Sequence, residues 1–172
     1  MVDFQGNICP FKADIEQNSF AIGTGPSVSL DFKLTSELSL GGSLSLPLFF
    51  AFNNSFGLSH YDVRLNYQFV QGQFTLSGIL GIAGEPKFFG SSSSSTPFGF
   101  EAGIGLAYRF LPQLIGRLNI VSGFNLFGSA FEPRSLFRPS SGIELAYQIN
   151  PDLEITFGVN GNGDVLGLRI LF

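Results

Sequence analysis

Residues 98–110 read Phe-Gly-Phe-Glu-Ala-Gly-Ile-Gly-Leu-Ala-Tyr-Arg-Phe. One parity carries Phe98, Phe100, Ala102, Ile104, Leu106, Tyr108 and Phe110. The other carries Glu101, Gly103, Gly105 and Arg109. A period of two is the mark of a strand with one apolar face, whereas a helix would need apolar spacings of three and four. The stretch is also long. Soluble strands usually run about 5–6 residues, and strands that cross a membrane need about 9–11.

The same alternation continues on both sides. Phe20, Ile22, Pro26, Val28, Leu30, Phe32 and Leu34 share one parity, against Ala21, Gly23, Gly25, Ser27, Ser29, Asp31 and Lys33. Leu38 to Phe50 follow the same pattern against Ser39, Gly41, Ser43 and Ser45. Tyr61 to Phe69 oppose Asp62, Arg64, Asn66 and Gln68, and Phe74, Leu76, Leu80 and Ile82 come next. Further runs begin at Leu114, Ile143, Leu153 and Leu166, the last ending on Phe172. That gives nine strands. Residues 2–11, in which Val2, Phe4, Gly6 and Ile8 alternate with Asp3, Gln5, Asn7 and Cys9, are expected to supply a tenth.

Composition agrees. Of 172 residues, 44% are hydrophobic and only 13% charged, against about 25% charged in an ordinary soluble domain. No apolar run approaches the ~18 residues of a transmembrane helix, so the apolar residues are dispersed through a wall of strands. The net charge of −4 excludes the basic footprint of a nucleic-acid binder. A single cysteine, Cys9, and a single histidine, His60, exclude the usual metal sites and any internal disulfide. Glycine pairs such as Gly103-x-Gly105 lie inside strands and open no helix, so they form no phosphate loop. No cofactor is expected. Met1 is followed at once by Val2-Asp3-Phe4-Gln5, which is not a secretory signal; a membrane reading implies a mature chain with an added Met.

Connections alternate between short and long. Short ones fall at Thr35-Ser36, Gln71-Gly72, Leu111-Pro112-Gln113 and Asn150-Pro151-Asp152. Long ones fall at 51–59, 84–97 and 128–141, and a tight Asn160-Gly161-Asn162-Gly163 turn precedes the last strand. A barrel crossing a membrane has short turns at one rim and long loops at the other. An internal repeat marks the short-turn rim: Val63-x-Leu65-x-Tyr67, Ile104-x-Leu106-x-Tyr108 and Ile143-x-Leu145-x-Tyr147, with Val28-x-Leu30-x-Phe32 as a fourth copy. Phe32, Tyr67, Tyr108 and Tyr147 thus make a ring of interfacial aromatics. A soluble meander with tyrosine corners is the alternative.

The terminal Leu166-x-Leu168-x-Ile170-x-Phe172 resembles the last strand of bacterial outer-membrane β-barrel proteins, which end on an aromatic residue preceded by apolar residues at every second position. The resemblance implies an outer-membrane location, outer-membrane lipids as surroundings, and insertion by the barrel-assembly machinery. Leu166, Leu168, Ile170 and Phe172 would carry the assembly signal. It implies no activity.

The expected fold is therefore all-β, one domain over residues 1–172: a closed, antiparallel, up-and-down transmembrane β-barrel of about ten strands, with eight as the alternative. Backbone groups in hydrocarbon must all be paired, and only helices and closed barrels achieve this. The polar parity then faces the axis, with Asp31, Lys33, Glu37, Asp62, Arg64, Glu101, Arg109, Arg117, Glu144, Glu154 and Arg169 lining the lumen. Both signs are present, and pairing is expected because an unpaired interior charge costs several kcal/mol.

Three functions compete. The first is a structural or interaction barrel with a plugged polar interior, whose outer loops meet other envelope proteins. The second is a porin-like path for small solutes, although porins need about 16 strands. The third is an enzyme at the outer rim built on His60 and Asp62, which share a strand face; Ser59 points the other way and no second acidic pair completes a site. A soluble barrel with its Phe/Leu parity around a ligand is the main alternative fold.

Overall fold

A computed structural model describes residues 17–24, 27–45, 60–85, 96–125, 141–160 and 166–172. They form ten strands and one closed sheet. The strands are β1 (Ser19–Gly23), β2 (Ser27–Lys33), β3 (Leu38–Ser45), β4 (His60–Val70) and β5 (Phe74–Glu85), followed by β6 (Thr96–Leu111), β7 (Leu114–Asn125), β8 (Gly142–Asn150), β9 (Leu153–Asn160) and β10 (Leu166–Leu171). Each strand pairs antiparallel with its sequence neighbours, and β1 pairs with β10 to close the barrel. No free edge is left to template another chain. No helix among the described residues is long and apolar enough to cross a membrane, which says nothing of a wall made of strands.

Ten strands were expected and ten are seen, but the first differs. Parity alone makes the run Phe20–Leu34 one strand. It is two, β1 and β2, joined through residues 24–26 and paired face to face, with Ser19 opposite Asp31 and Gly23 opposite Ser27. Thr24 stands where the apolar parity should have continued, and Gly25-Pro26 is a turn signal, proline lacking the N–H that a ladder needs. Two short strands of equal phase look like one long strand when only parity is followed. Residues 2–11 and Cys9 lie outside the described residues, and β1 takes the closing place proposed for that segment.

The parity separates two environments. Arg64, Arg117 and Arg169 are the largest fully buried side chains, 1%, 2% and 0% exposed, while Phe69, Leu80 and Ile143 are 65%, 65% and 62% exposed. Apolar burial inside the barrel is small. Ile79 packs with Val121, and Ala107 with Ile115. All four sit on the inward parity, against the simple rule that this face is polar. Small residues make up much of the rest: Ser19, Ser27, Ser29, Ser39, Thr75 and Ser77 are all buried.

One rim carries the short connections. The β6–β7 and β8–β9 hairpins turn through residues 112–113 and 151–152, and β4–β5 turns through Gly72, whose φ of 141° suits a residue without a Cβ. Just before each of these turns the ladder slips by one residue, between Gln68 and Val70, Arg109 and Leu111, and Gln148 and Asn150. Such bulges bend a strand and increase its twist. Recurrence at one level on β4, β6 and β8 makes them part of the repeat.

Candidate functional site

The lumen is built by the inward residues of all ten strands, and its charges fall into two groups. On β7–β10, two arginines and two glutamates form a closed quartet. Arg117 and Glu144 are direct cross-strand partners, as are Arg169 and Glu154. Arg117 Nη1 lies 2.7 Å from Glu144 Oε1, and its Nη2 lies 3.0 Å from Glu154 Oε1. Arg169 Nη1 lies 2.8 Å from Glu154 Oε2 and 3.5 Å from Glu144 Oε1. Each arginine touches both acids, so the charges cancel within the group. Guanidinium forks suit this shared geometry because their donors are fixed in a plane.

The β1–β6 side differs. Asp31, Asp62 and Glu101 are buried there, and Arg64 is the buried cation among the described residues of those strands. Arg64 Nε lies 2.7 Å from Asp62 Oδ1. The hydroxyl of Ser43 donates a short hydrogen bond to the other oxygen of Asp62, and Ser19 Oγ donates to Asp31 Oδ2 at 3.3 Å. The carboxylate of Asp31 lies over Gly41, in the space a Cβ there would take. Small cross-strand neighbours thus both solvate and make room for the acids.

Of the eleven proposed lumen charges, Asp31, Asp62, Arg64, Glu101, Arg117, Glu144, Glu154 and Arg169 are buried on the inward face. The other three belong to the short-turn rim. Lys33 is exposed and Arg109 half-buried, its Nη1 donating to the Pro112 carbonyl at 3.2 Å. Glu37 is a correction. Its parity points inward, but its carboxylate accepts the Tyr67 hydroxyl at 3.2 Å, and Tyr67 is an outward residue. A residue on the turn before β3 is not held to the alternation of the strand, so its side chain can swing across the rim.

Phe32, Tyr67, Tyr108 and Tyr147 are outward and exposed, and so are Leu166, Ile170 and Phe172, with Leu168 half-buried. Parity did not reveal how the tyrosines are held. Gln73 Nε2 donates to the Tyr108 hydroxyl at 3.2 Å, and the Tyr147 hydroxyl reaches Gln113 Oε1 at 3.5 Å, repeating the Tyr67–Glu37 contact. In each case the next residue also donates its backbone N–H to the carbonyl of the same Glu or Gln: Gln68 to Glu37 at 2.7 Å, Arg109 to Gln73 at 2.8 Å and Gln148 to Gln113 at 2.8 Å. Tyr67 and Tyr108 also meet Phe69 and Phe110 edge-on, with ring centroids 5.2 and 5.0 Å apart. Phe69 covers Gly78 and Phe110 covers Gly116, where an added Cβ would strike the ring.

Of the catalytic candidates His60 and Asp62, Asp62 alone has a described side chain. His60 opens β4 opposite Ser45, and its side chain lies outside the described residues. Asp62 is engaged with Arg64 and Ser43. Among the described residues no group of three or more His, Cys, Asp or Glu is arranged to hold a metal. On the outer wall, Leu40, Val63, Leu65, Leu80, Ile82 and Phe100 surround a shallow apolar depression of about 530 Å³. Neither protein-family models nor curated protein sequences contain a match to this chain.

Proposed function

We propose that the chain is an integral barrel of the bacterial outer membrane, serving as a structural or interaction element with a plugged lumen. One observation carries the reading: arginines and glutamates are buried on the inside while leucines, isoleucines and phenylalanines are exposed around the whole wall. In water an apolar surface this continuous would drive association. In hydrocarbon it is the stable surface, and a closed ladder leaves no unpaired strand edge. Strands β4 to β8, of 9–16 residues, reach the length a bilayer demands. The outer depression suits acyl chains, and the ring of latched tyrosines suits a water–hydrocarbon boundary.

Plugging is favoured over conduction by the burial of the interior charges. The Arg117–Glu144–Glu154–Arg169 quartet turns its charges toward one another instead of offering them to passing ions. Partners are then the membrane lipids, the machinery that inserts barrels, which would read Leu166, Leu168, Ile170 and Phe172, and envelope proteins met by the long loops.

Two measurements test this. Folded in detergent, the chain should migrate differently on a gel before and after boiling, and it should fail to stay monodisperse in buffer without detergent. Placed in a planar bilayer, it should give no discrete conductance steps. Steady channel openings would replace the plugged barrel with a pore, and a monodisperse soluble protein would remove the membrane altogether.

A further inference from the structure

The three tyrosine contacts share a topological position. In a hairpin, the turn fixes which residues face each other. The connections through residues 24–26, 34–37, 71–73, 112–113, 151–152 and 161–165 are short enough to do this. Three neighbouring pairs are not joined by so short a connection: between the strand ends of β3–β4, β5–β6 and β7–β8 lie residues 46–59, 86–95 and 126–141. A slip of two residues in any of these would keep every side chain on its proper face, so parity alone does not forbid it.

These are the pairs that carry a tyrosine contact. In each, the first residue of the ascending strand faces the tyrosine: Leu38 opposite Tyr67, Phe74 opposite Tyr108 and Leu114 opposite Tyr147. The Glu or Gln immediately before it offers a backbone carbonyl to one residue and a side chain to the tyrosine. The β9–β10 pair supplies the contrast. There Leu153 faces Ile170, and the Leu171 N–H donates to the Asp152 carbonyl at 2.8 Å. The backbone bond is present, the strands are joined through residues 161–165, and no tyrosine is used. On β2, whose connection to β1 is shorter still, the equivalent residue is Phe32.

We propose that the Glu37–Tyr67, Gln73–Tyr108 and Gln113–Tyr147 pairs are register latches, which fix the alignment of the three strand pairs that their long loops leave unset. Each is a two-point socket, and a two-residue slip breaks both points at once. The outer loops are thereby freed from any part in aligning the wall, so they can change in length and sequence while the barrel keeps its shear. This inference concerns alignment within the sheet and does not depend on the membrane reading.

Cysteine cross-linking in a Cys9→Ser background tests it. Leu76 faces Leu106 in register, and Ile104 lies two residues away. With the latch intact, Leu76→Cys should cross-link to Leu106→Cys and not to Ile104→Cys. Combining Tyr108→Phe with Gln73→Ala should raise the slipped cross-link at least tenfold or reduce the folded yield several-fold. Replacing residues 86–95 by an Asn-Gly turn, which would join the paired Glu85 and Thr96, should reverse either effect. An unlatched barrel that folds in full yield with only the in-register cross-link would overturn the proposal. So would a short turn that fails to rescue it.

Discussion

The two sides of the lumen solve one problem differently. On β7–β10, two arginines and two glutamates share contacts until the charges balance. On β1–β6, Asp31, Asp62 and Glu101 are buried with Arg64, which pairs with Asp62, and serine hydroxyls and glycine gaps do part of the work that a second cation does across the barrel. The first arrangement is redundant, since either arginine still touches both acids if the other is lost. The second holds one buried arginine among its described residues, Arg64. A buried network is as robust as the number of independent contacts each charge keeps.

Removing that single residue should have the largest effect. Arg64→Met takes the buried guanidinium away from Asp62, and breaking a buried pair costs about 3–5 kcal/mol. The urea midpoint of the folded barrel in detergent should fall accordingly, and adding Asp62→Asn should recover part of the loss. No recovery would mean that packing rather than charge explains the defect. Arg117→Met should cost less, about 1.5–3 kcal/mol, the range for hydrogen bonds to charged groups, because Arg169 still holds Glu144 and Glu154. If it costs as much as Arg64→Met, the quartet is not redundant.

Glycine substitutions sharpen the same comparison. At Gly158 an added Cβ meets the Ile143 carbonyl and the backbone of Glu144, neither of which can move alone. Gly158→Ala should therefore cost about 1–3 kcal/mol, as overpacking does, and disturb the quartet. At Gly41 the obstacle is the end of the Asp31 side chain, which can rotate aside. Gly41→Ala should lower the same midpoint by less than Gly158→Ala; the reverse order would show that Asp31 is rigidly held. Smallest of all is Gly116→Ala on the outward face near the short-turn rim, where only the tip of the Phe110 ring is displaced. A shift beyond about 0.5 kcal/mol would exceed what a surface substitution away from special features does.

Much of this was legible because strand parity needs no partner. Phe98 to Phe110 declares its two faces by itself, and so do the buried Arg117 and the exposed Ile143. What parity could not give was anything that depends on where a strand stops or what stands opposite. The β1–β2 turn was hidden because both strands keep the same phase across Thr24-Gly25-Pro26. Glu37 was misplaced because a turn residue is released from the alternation. The quartet and the tyrosine latches are matters of register, which brings Glu37 to Tyr67 across thirty positions of sequence. The inward Ile79, Val121 and Ile115 broke the polar-inside rule because a narrow interior must also be filled.

Everything turns on the direction in which the apolar wall faces, and the absence of tryptophan makes it directly measurable. A Leu65→Trp variant, reconstituted in vesicles whose lipids carry bromine near the ends of their acyl chains, should have its emission quenched several-fold relative to unbrominated vesicles. Emission that ignores the bromine, from a chain that remains in the aqueous phase, would contradict the account.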